Sequence, residues 1–384
     1  MRRGLLGRGL IGAIAVVSLL IPASAAAVTY APVDQPGPAL SVPQDKLDAS
    51  LECTGNLASA GRAPVLLVPG TGSNPHSNFS WNWEPALSKL GIPWCAVTLP
   101  DNALGDIQVA GEYVVNGIRT MYGRAGRRIS IIGHSQGGML PRWPLRFWPD
   151  TRAMVDDQIG LAPSNHGTTG ADLLCSLSCA AADWQQRDIS EFTKALNSHQ
   201  ETFPGISYTE IYSHFDEIVT PNSDDSGSSS LHGGGGEITN EAIQQICPAD
   251  PSEHLAIGTQ DRVAYDLAID ALDHPGPADP ARAQASDPGI CTPLALMPGI
   301  NPTTYPADLA SAAADLAFNT ATAPQVSAEP PLACYVTASC PAGGAAPGTA
   351  KSAKSAKCKR KRKKSHRAAT GKRRSCKKHK KRHR

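Results

Sequence analysis

The sequence predicts an α/β fold in which helices cover both faces of a mostly parallel sheet. Short apolar runs of strand length alternate along the chain with longer segments of helical period. This alternation favours a parallel sheet, because parallel neighbours need a crossover between them, usually a helix. Roughly 300 residues lie between two ends of unusual composition, which is enough for one large domain with a substantial core.

The predicted elements follow one another in that order. The apolar run 65–68 lies between two prolines and has the length and branching of a buried strand. From 106 to 122, apolar side chains recur at helical spacing beside polar ones, which predicts an amphipathic helix. The other predicted elements are strands at 129–132, 158–162 and 208–213 and a helix at 263–272. The segment 241–247 precedes the loop that carries His254, and after Pro275 we expect short helices and loops.

The first 50 residues are predicted to precede the folded domain. Three arginines come before an apolar run that is short for a bilayer span, and small residues follow it. Residues 1–27 are therefore typical of a signal peptide, which predicts a protein that is secreted, extracellular or associated with the cell surface. Residues 28–50 include a proline-rich stretch and predict an extended lead-in, with order beginning near Leu51.

The charge of the chain is divided between two opposed parts. The formal net charge is +2, but residues 351–384 hold 19 Lys or Arg and no acid. Apart from these and residues 1–27, the chain has 14 basic and 34 acidic residues. The composition of residues 346–384 predicts a disordered basic tail, because a segment with dense like charge and no apolar period does not fold alone. The tail could bind an anionic surface, such as a cell-surface polymer, acidic lipid or nucleic acid. The alternatives are that it only solubilises the protein or folds back on the acidic domain.

A serine motif directly follows the strand at 129–132. Residues 133–137 read Gly-His-Ser-Gln-Gly. In the α/β-hydrolase fold such a serine lies on a tight strand-to-helix turn, and the flanking glycines leave room for a strained backbone. A glycine-rich chain can produce this motif by chance, but here it follows an apolar strand and occurs once. We therefore expect Ser135 to be a nucleophile and residues 51–345 to form an α/β-hydrolase catalytic domain.

The nucleophile needs a base, and the base needs an acid that orients it. In this fold the acid and then the histidine follow the serine, each in a loop after a strand. Asp216 and His254 meet that condition. The alternatives on spacing are Asp224 and Asp225 for the acid and His166, His199, His214, His232 and His274 for the base.

Donors for the oxyanion are expected from two loops. The transition state places negative charge on the former carbonyl oxygen, so donors must already point there. In this fold one donor is the backbone N–H of the residue after the nucleophile, here Gln136, and another comes from the loop after the early strand, here Thr71. This chemistry needs neither metal nor cofactor, and we expect none.

Four segments together resemble the Candida antarctica lipase B family, including its bacterial members. They are Leu-Leu-Val-Pro-Gly-Thr-Gly at 66–72, Ser-Gln-Gly-Gly at 135–138, Trp-Gln-Gln at 184–186 and Asp-Glu-Ile-Val at 216–219. The resemblance covers roughly Leu51 to Cys340 and is strongest from Pro64 to Val219. It implies the triad Ser135, Asp216 and His254, with an oxyanion hole from Gln136 and from the backbone and hydroxyl of Thr71.

The resemblance also implies a substrate pocket and three disulfides. Gln186, Ile218 and Val219 would line the acyl or alcohol pocket, and the segment 167–184 would be a mobile rim over the site. The implied disulfides are Cys53–Cys95, Cys247–Cys291 and Cys334–Cys340. The pairing of Cys175, Cys179, Cys358 and Cys376 stays open. If the rim is helical, the first two share a face and could form a local staple.

Three positions depart from the family pattern. His134 stands where the family has a tryptophan at the floor of the alcohol pocket, so the size and enantioselectivity of that pocket do not carry over. Ser164 stands where an aspartate would hydrogen-bond near the pocket. Pro141 enters the helix after the nucleophile, where its missing N–H predicts a kink.

The sequence therefore predicts a secreted carboxylic ester hydrolase, a lipase or esterase acting on triacylglycerol or shorter esters. One alternative is that the same triad transfers the acyl group to an alcohol. Another is a non-catalytic surface-binding protein that acts through its basic tail. An ester or lipid substrate is the expected ligand, and no obligate protein partner is evident.

Overall fold

The computed structural model describes residues 28–58, 61–293 and 295–340, apart from the side chain of Leu173. Within these ranges the chain forms nine strands and fourteen α-helices. The strands are β1 Leu51–Cys53, β2 Val65–Val68, β3 Trp94–Val97, β4 Ile129–His134, β5 Val155–Leu161, β6 Cys179–Ala180, β7 Ser207–Tyr212, β8 Glu237–Ala242 and β9 Gln325–Val326. The helices are α1 Gln44–Ala49, α2 Pro75–Phe79, α3 Trp83–Lys89, α4 Ile107–Ala125, α5 Gln136–Met139, α6 Arg142–Phe147, α7 Gly170–Leu174, α8 Ala181–Gln185, α9 Glu191–Leu196, α10 Ile243–Ile246, α11 His254–Thr259, α12 Arg262–Asp273, α13 Pro280–Ser286 and α14 Tyr305–Thr322.

Seven strands form the central sheet in the order β1-β3-β2-β4-β5-β7-β8. Strand β1 is antiparallel to β3, and every other neighbouring pair in this sheet is parallel. Strands β6 and β9 pair antiparallel in a separate small sheet. A mostly parallel sheet with helices on both faces is the α/β-hydrolase fold that the sequence predicted.

Strand β2 shows why the central strands are uninterrupted apolar runs. Leu66 and Val68 belong to the core on one face of the sheet, together with Ile118 of α4. Val65 and Leu67 belong to the core on the other face, which includes residues of α12. Because both faces are covered, every position of the strand must be apolar.

Helix α4 confirms the amphipathic helix predicted at 106–122, although it ends slightly later. The carboxylate of Asp106 accepts a hydrogen bond from the amide of Gln108, which caps the first turn. At the other end, Gly126 adopts a φ of 66° and terminates the helix. The apolar face of the helix, including Val114, is buried against the sheet.

The amino-terminal lead-in is more ordered than predicted. Glu112 of α4 is buried and accepts hydrogen bonds from the Ser41 hydroxyl at 2.7 Å and the Val42 amide at 2.9 Å. Helix α1 forms the end of the lead-in and buries Leu47 completely. The prediction that order begins near Leu51 is therefore wrong, because a buried carboxylate organises a segment that has no apolar period.

The carboxyl-terminal part also differs from the prediction. Only short helices were expected after Pro275, but α14 has 18 residues. None of its residues is buried, so it has no fully covered apolar face that a sequence pattern could reveal. The segment 241–247 contains the end of β8 and the helical turn α10. No helix within the described ranges is long and apolar enough to cross a membrane.

The topology brings the candidate site residues to one edge of the sheet. The loops that carry Thr71, Ser135, Asp216 and His254 follow β2, β4, β7 and β8, respectively. These four strands are parallel, so their carboxyl ends lie at the same edge, where ligands bind in open α/β sheets. The predicted signal peptide and the whole of the predicted tail 346–384 lie outside the described residues.

Candidate active site

Ser135 lies in the turn between β4 and α5. Its φ of 57° and ψ of −124° place it in a strained region of backbone space. Its amide donates to the carbonyl of Leu161 at 2.8 Å. A Cβ atom at Gly133 would lie 1.9 Å from the carbonyl oxygen of Gly137, and one at Gly137 would lie 2.0 Å from that of Val68. Close backbone contact therefore explains both glycines of the motif.

Asp216 and His254 are in direct contact. His254 Nδ1 lies 2.8 Å from Asp216 Oδ2, and both side chains are almost fully buried. The other carboxylate oxygen accepts from the amides of Ile218 and Val219 at 3.0 and 2.7 Å. A carboxylate only accepts, so Nδ1 carries the proton and Nε2 is free to take one. No hydrogen bond between described residues joins His254 to the Ser135 hydroxyl, which is common in a site without substrate.

A cavity of about 480 Å³ lies at this edge of the sheet. Ser135 and His254 both line it, and so does Thr71. All four candidate substrate-binding residues also contribute to its wall: His134, Gln186, Ile218 and Val219. Sequence reasoning missed Ser73, Leu255, Leu316 and Thr320, which also line the cavity. Ala171, Leu174 and Asp183 in its wall belong to the segment 167–184 that was expected as a rim over the site.

The alternative acids and bases lie elsewhere. Asp225 accepts a hydrogen bond from Tyr212, and Asp224 from Ser226. His166 contacts Glu201, at 2.9 Å. None of the five alternative histidines lines the cavity that holds Ser135. The structure thus places His254, in contact with Asp216, on the cavity that Ser135 lines, and none of the alternative acids and bases lines that cavity.

The Thr71 hydroxyl is oriented by two glutamine side chains. It accepts from Gln136 Nε2 at 3.3 Å and from Gln186 Nε2 at 2.8 Å. A threonine hydroxyl has two acceptor positions and one proton. With both acceptor positions used, its proton can point into the cavity that Thr71 lines. Gln136 begins α5, and the first N–H groups of a helix have no partner within it, so its amide can also donate to an oxyanion.

The chain is similar to lipases of known sequence and known structure. No family model matches it. Among curated proteins, lipase B of Pseudozyma antarctica is 35% identical over 262 residues, which are 67% of this chain and 75% of the relative. This chain belongs to the lipase B family. Among solved structures, lipase B of Aspergillus fumigatus matches with a TM-score of 0.70 and 30% identity, over 78% of this chain and 74% of that chain. The chain is thus a carboxylic ester hydrolase, as its sequence predicted.

The three departures from the lipase B pattern each have a structural consequence. His134 is buried, and both of its ring nitrogens contact hydrogen-bonding groups. It also lines a small side cavity of about 40 Å³ that extends towards α14. The Ser164 hydroxyl donates to Gln186 Oε1 at 3.0 Å and so orients the amide that holds Thr71. At Pro141 the helix is interrupted between α5 and α6, as predicted.

The rim that the lipase B resemblance implied at 167–184 consists of α7, β6 and α8. Cys175 and Cys179 form a disulfide there, which confirms the local staple. The segment between them is not helical, because α7 ends before Cys175 and β6 begins at Cys179. Leu174, which lines the cavity, is 64% exposed, and Leu177 in the same rim is 86% exposed. The mobility of this rim stays a prediction.

The other disulfides follow the family pattern. Bonds join the three pairs that the resemblance implied, Cys53–Cys95, Cys247–Cys291 and Cys334–Cys340. Cys358 and Cys376 lie outside the described residues. Together with the rim, four disulfides stabilise the part of the chain that the structure describes.

A larger cavity, of about 690 Å³, lies at the opposite edge of the sheet. Charged side chains line it, including Arg62, Arg128, Asp157 and Glu237, and none of the candidate catalytic residues does. The smaller cavity is the candidate active site, because of these two cavities it alone is lined by Ser135, His254 and Thr71. Among the described residues, no cluster of three or more His, Cys, Asp or Glu could hold a metal ion.

Proposed function

We propose that this chain hydrolyses triacylglycerol or shorter esters through a covalent acyl-enzyme on Ser135. The observation that carries the proposal is the 2.8 Å contact between His254 and Asp216 on a cavity that Ser135 also lines. The walls of this cavity are largely apolar, which suits an acyl chain.

In the first half of the reaction, Ser135 Oγ attacks the carbonyl carbon of the ester while His254 Nε2 takes the hydroxyl proton. Asp216 holds the Nδ1 proton and stabilises the imidazolium that forms. The alcohol leaves with the proton from Nε2, and the acyl group stays on Ser135. In the second half, water attacks the acyl carbon, His254 takes its proton, and the acid leaves as Ser135 Oγ is protonated again.

The negative oxygen of each tetrahedral intermediate accepts hydrogen bonds from Thr71 and Gln136. The Thr71 hydroxyl is held for this role by Gln136 Nε2 and Gln186 Nε2. Donors that are already in place need no reorganisation when the charge develops, and this arrangement is often the largest part of catalysis.

The test is hydrolysis of nitrophenyl esters by the wild type and by Ser135→Ala. We expect the variant to lose on the order of ten-thousand-fold or more in kcat. His254→Ala and Asp216→Asn should also be severely impaired, while the matched controls His166→Ala and Asp224→Asn retain activity. Before steady state, the wild type should release a burst of one nitrophenol per active site. An active Ser135→Ala variant would disprove the proposal.

Esters of graded chain length decide between lipase and esterase. A lipase should prefer long acyl groups and hydrolyse emulsified triacylglycerol, whereas an esterase should act best on short, dissolved esters. The same series with an added alcohol measures acyl transfer, because ester product then forms at the expense of free acid.

We also propose that the protein is exported and that its basic tail attaches it to an anionic polymer at the cell surface. The support is the pattern of residues 1–27, the four disulfides, which persist in oxidising compartments, and the 19 Lys or Arg in residues 351–384. Amino-terminal sequencing of protein from the medium tests removal of the first segment. Deletion of residues 346–384 should abolish salt-sensitive retention on cells with ester hydrolysis unchanged; retention that persists would contradict attachment by the tail.

A further inference from the structure

We propose that His134 is a positioning residue that connects the oxyanion loop, residues 69–72 with Thr71, to the backbone of the base His254. The proposal rests on the proposed function of Ser135 and His254, and it assigns a role to the side chain that replaces the tryptophan of the family pattern.

The two ring nitrogens of His134 reach two different parts of the site. Nε2 lies 3.2 Å from the carbonyl oxygen of His254. On the other side, Nδ1 lies 3.2 Å from Asn78 Nδ2 and 3.3 Å from Asn78 Oδ1. Asn78 Oδ1 in turn accepts a hydrogen bond from the amide of Gly70 at 3.0 Å. Gly70 directly precedes Thr71, so this chain of contacts runs from the oxyanion loop to the base.

Donor and acceptor chemistry allows one arrangement of protons in this chain. The carbonyl of His254 can only accept, so Nε2 of His134 carries the ring proton. A neutral ring then accepts at Nδ1, and Asn78 must donate there through Nδ2. The Gly70 amide fixes Asn78 in the same orientation, because it needs Oδ1 as its acceptor. Each bond therefore supports the next.

The surroundings of His134 favour the neutral ring that this arrangement requires. The side chain is buried, and the imidazole of His254 lies 5.2 Å away between ring centroids. Burial, and then the proximity of His254, lower the pKa of His134 to about 3. A charged ring would donate from both nitrogens and would lose the bond from Asn78.

The space around the ring also fits an imidazole. A Cβ atom at Gly258 would lie 2.1 Å from His134 Cδ2, so α11 can approach only because it has a glycine there. The Trp83 indole N–H donates to the carbonyl of Gly258 at 3.0 Å and holds α11 from the opposite side. Helix α11 is thus placed against the ring, and its first residue is His254.

The function of this arrangement is to fix the position of the loop that carries Thr71 relative to the base His254. The oxyanion donors and the base act on one tetrahedral centre, and an error of about 1 Å in their relative position can cost on the order of a hundredfold in rate. His134 connects to the loop of one through Asn78 and to the main chain of the other directly, and among the described residues no hydrogen bond joins its ring to the Ser135 hydroxyl or to the His254 imidazole.

Three substitutions separate the two bonds. His134→Phe keeps a ring but removes both bonds, and we expect kcat to fall by on the order of tenfold to a hundredfold with KM little changed. The amide of His134→Gln can reach the position of Nε2 and keep the bond to His254. The side chain of His134→Asn can reach the position of Nδ1 and keep the bond from Asn78. Both should lose less than His134→Phe.

A second substitution distinguishes positioning from simple packing. In an Asn78→Leu background, His134→Asn should lose its advantage over His134→Phe, while His134→Gln keeps part of it. A packing role would instead lower the unfolding temperature of all three variants and leave kcat per folded molecule unchanged. His76→Phe, an exposed histidine on α2, is the matched control and should behave as wild type. Wild-type kcat in His134→Phe would overturn the proposal.

A measurement that does not depend on catalysis separates this proposal from the function proposed for Ser135. In ¹⁵N NMR of Ser135→Ala protein, the His134 ring should stay neutral with its proton on Nε2 from pH 5 to pH 8. A charged ring, or a proton on Nδ1, would refute the arrangement whatever the variant's activity. Activity that persists in Ser135→Ala would instead refute the proposed nucleophile and leave this spectrum as the test of His134.

Discussion

Glu210 on β7 provides a quantitative test of the electrostatics beneath the active site. It is completely buried, and burial raises the pKa of its carboxyl to about 8, although nearby Arg142 lowers it. Its Oε1 lies 3.4 Å from Gln158 Nε2, a weak contact, and the neighbouring Asn165 side chain also lowers the pKa without offsetting the effect of burial. Gln158 Nε2 also donates to the carbonyl of Gly138, in the helix that follows the nucleophile. The carboxyl is therefore protonated in the folded protein at neutral pH.

The sign of the resulting pH dependence follows from proton binding. The unfolded chain releases this proton near the ordinary pKa of 4.5, whereas the folded protein keeps it until about 8. Between these values the folded state binds one more proton, so the free energy of unfolding falls as pH rises. The cost is at most about 1.4 kcal/mol for each pH unit. For the rise from pH 6 to pH 8, Glu210 alone should therefore cost about 2 kcal/mol.

The assay is urea unfolding of the wild type and Glu210→Gln at several pH values from 6 to 8. The amide has nearly the shape of the protonated acid and does not titrate, so the variant should gain about 2 kcal/mol relative to wild type across this range. Other buried acids with raised pKa values, such as Asp157, are present in both proteins and cancel in the difference. Glu237→Gln, at an exposed position of β8, is the control. Parallel curves for the wild type and Glu210→Gln would refute the reasoning.

Three further predictions concern the cavity and its rim. Thr71→Val removes an oxyanion donor and should lower kcat by about 100- to 1,000-fold with little change in KM, whereas Thr71→Ser should stay active. If Thr71→Val had the same kcat as the wild type, the Thr71 hydroxyl would not be an oxyanion donor. Replacing Cys175 and Cys179 by alanine opens a very short loop, so urea unfolding should show a loss of no more than about 2 kcal/mol, and limited proteolysis should speed up at the rim. Asp183 places a carboxyl in the cavity wall, and burial raises its pKa although a hydrogen bond from Ala180 lowers it. Asp183→Val should raise the ratio of octanoate to acetate ester hydrolysis several-fold, while Asp183→Asn should not.

The parts of the fold that the sequence predicted are those with local causes. Strand β2 matches the predicted run 65–68, because a strand covered on both faces must be apolar throughout. The turn at Ser135 was predicted from the two glycines of the motif. Close backbone contacts require both of them, within the motif at Gly133 and with the end of β2 at Gly137. Asp216 and His254 are proposed as acid and base from their order along the chain, and the fold brings these two side chains into contact.

The parts that were missed depend on contacts between distant segments. Asn78 has no motif, and its role exists only because α2 lies beside both Gly70 and His134. Helix α14 lacks a buried face, yet Leu316 and Thr320 reach the cavity from it. Conservation across relatives could have singled out such positions, whereas composition and periodicity could not.

Two hydrogen-bond chains meet at the oxyanion loop, and each contains a residue that departs from the family pattern. On one side, Ser164 orients Gln186, which holds the Thr71 hydroxyl. On the other, His134 connects through Asn78 to the amide that precedes Thr71. The resemblance implies an aspartate and a tryptophan at these two positions, so Ser164 and His134 would alter the charge and the volume beside the substrate. Both side chains nevertheless supply hydrogen bonds that hold the loop of Thr71, so we expect the oxyanion geometry to be kept. Differences in substrate selectivity from other family members should therefore arise at the walls of the cavity.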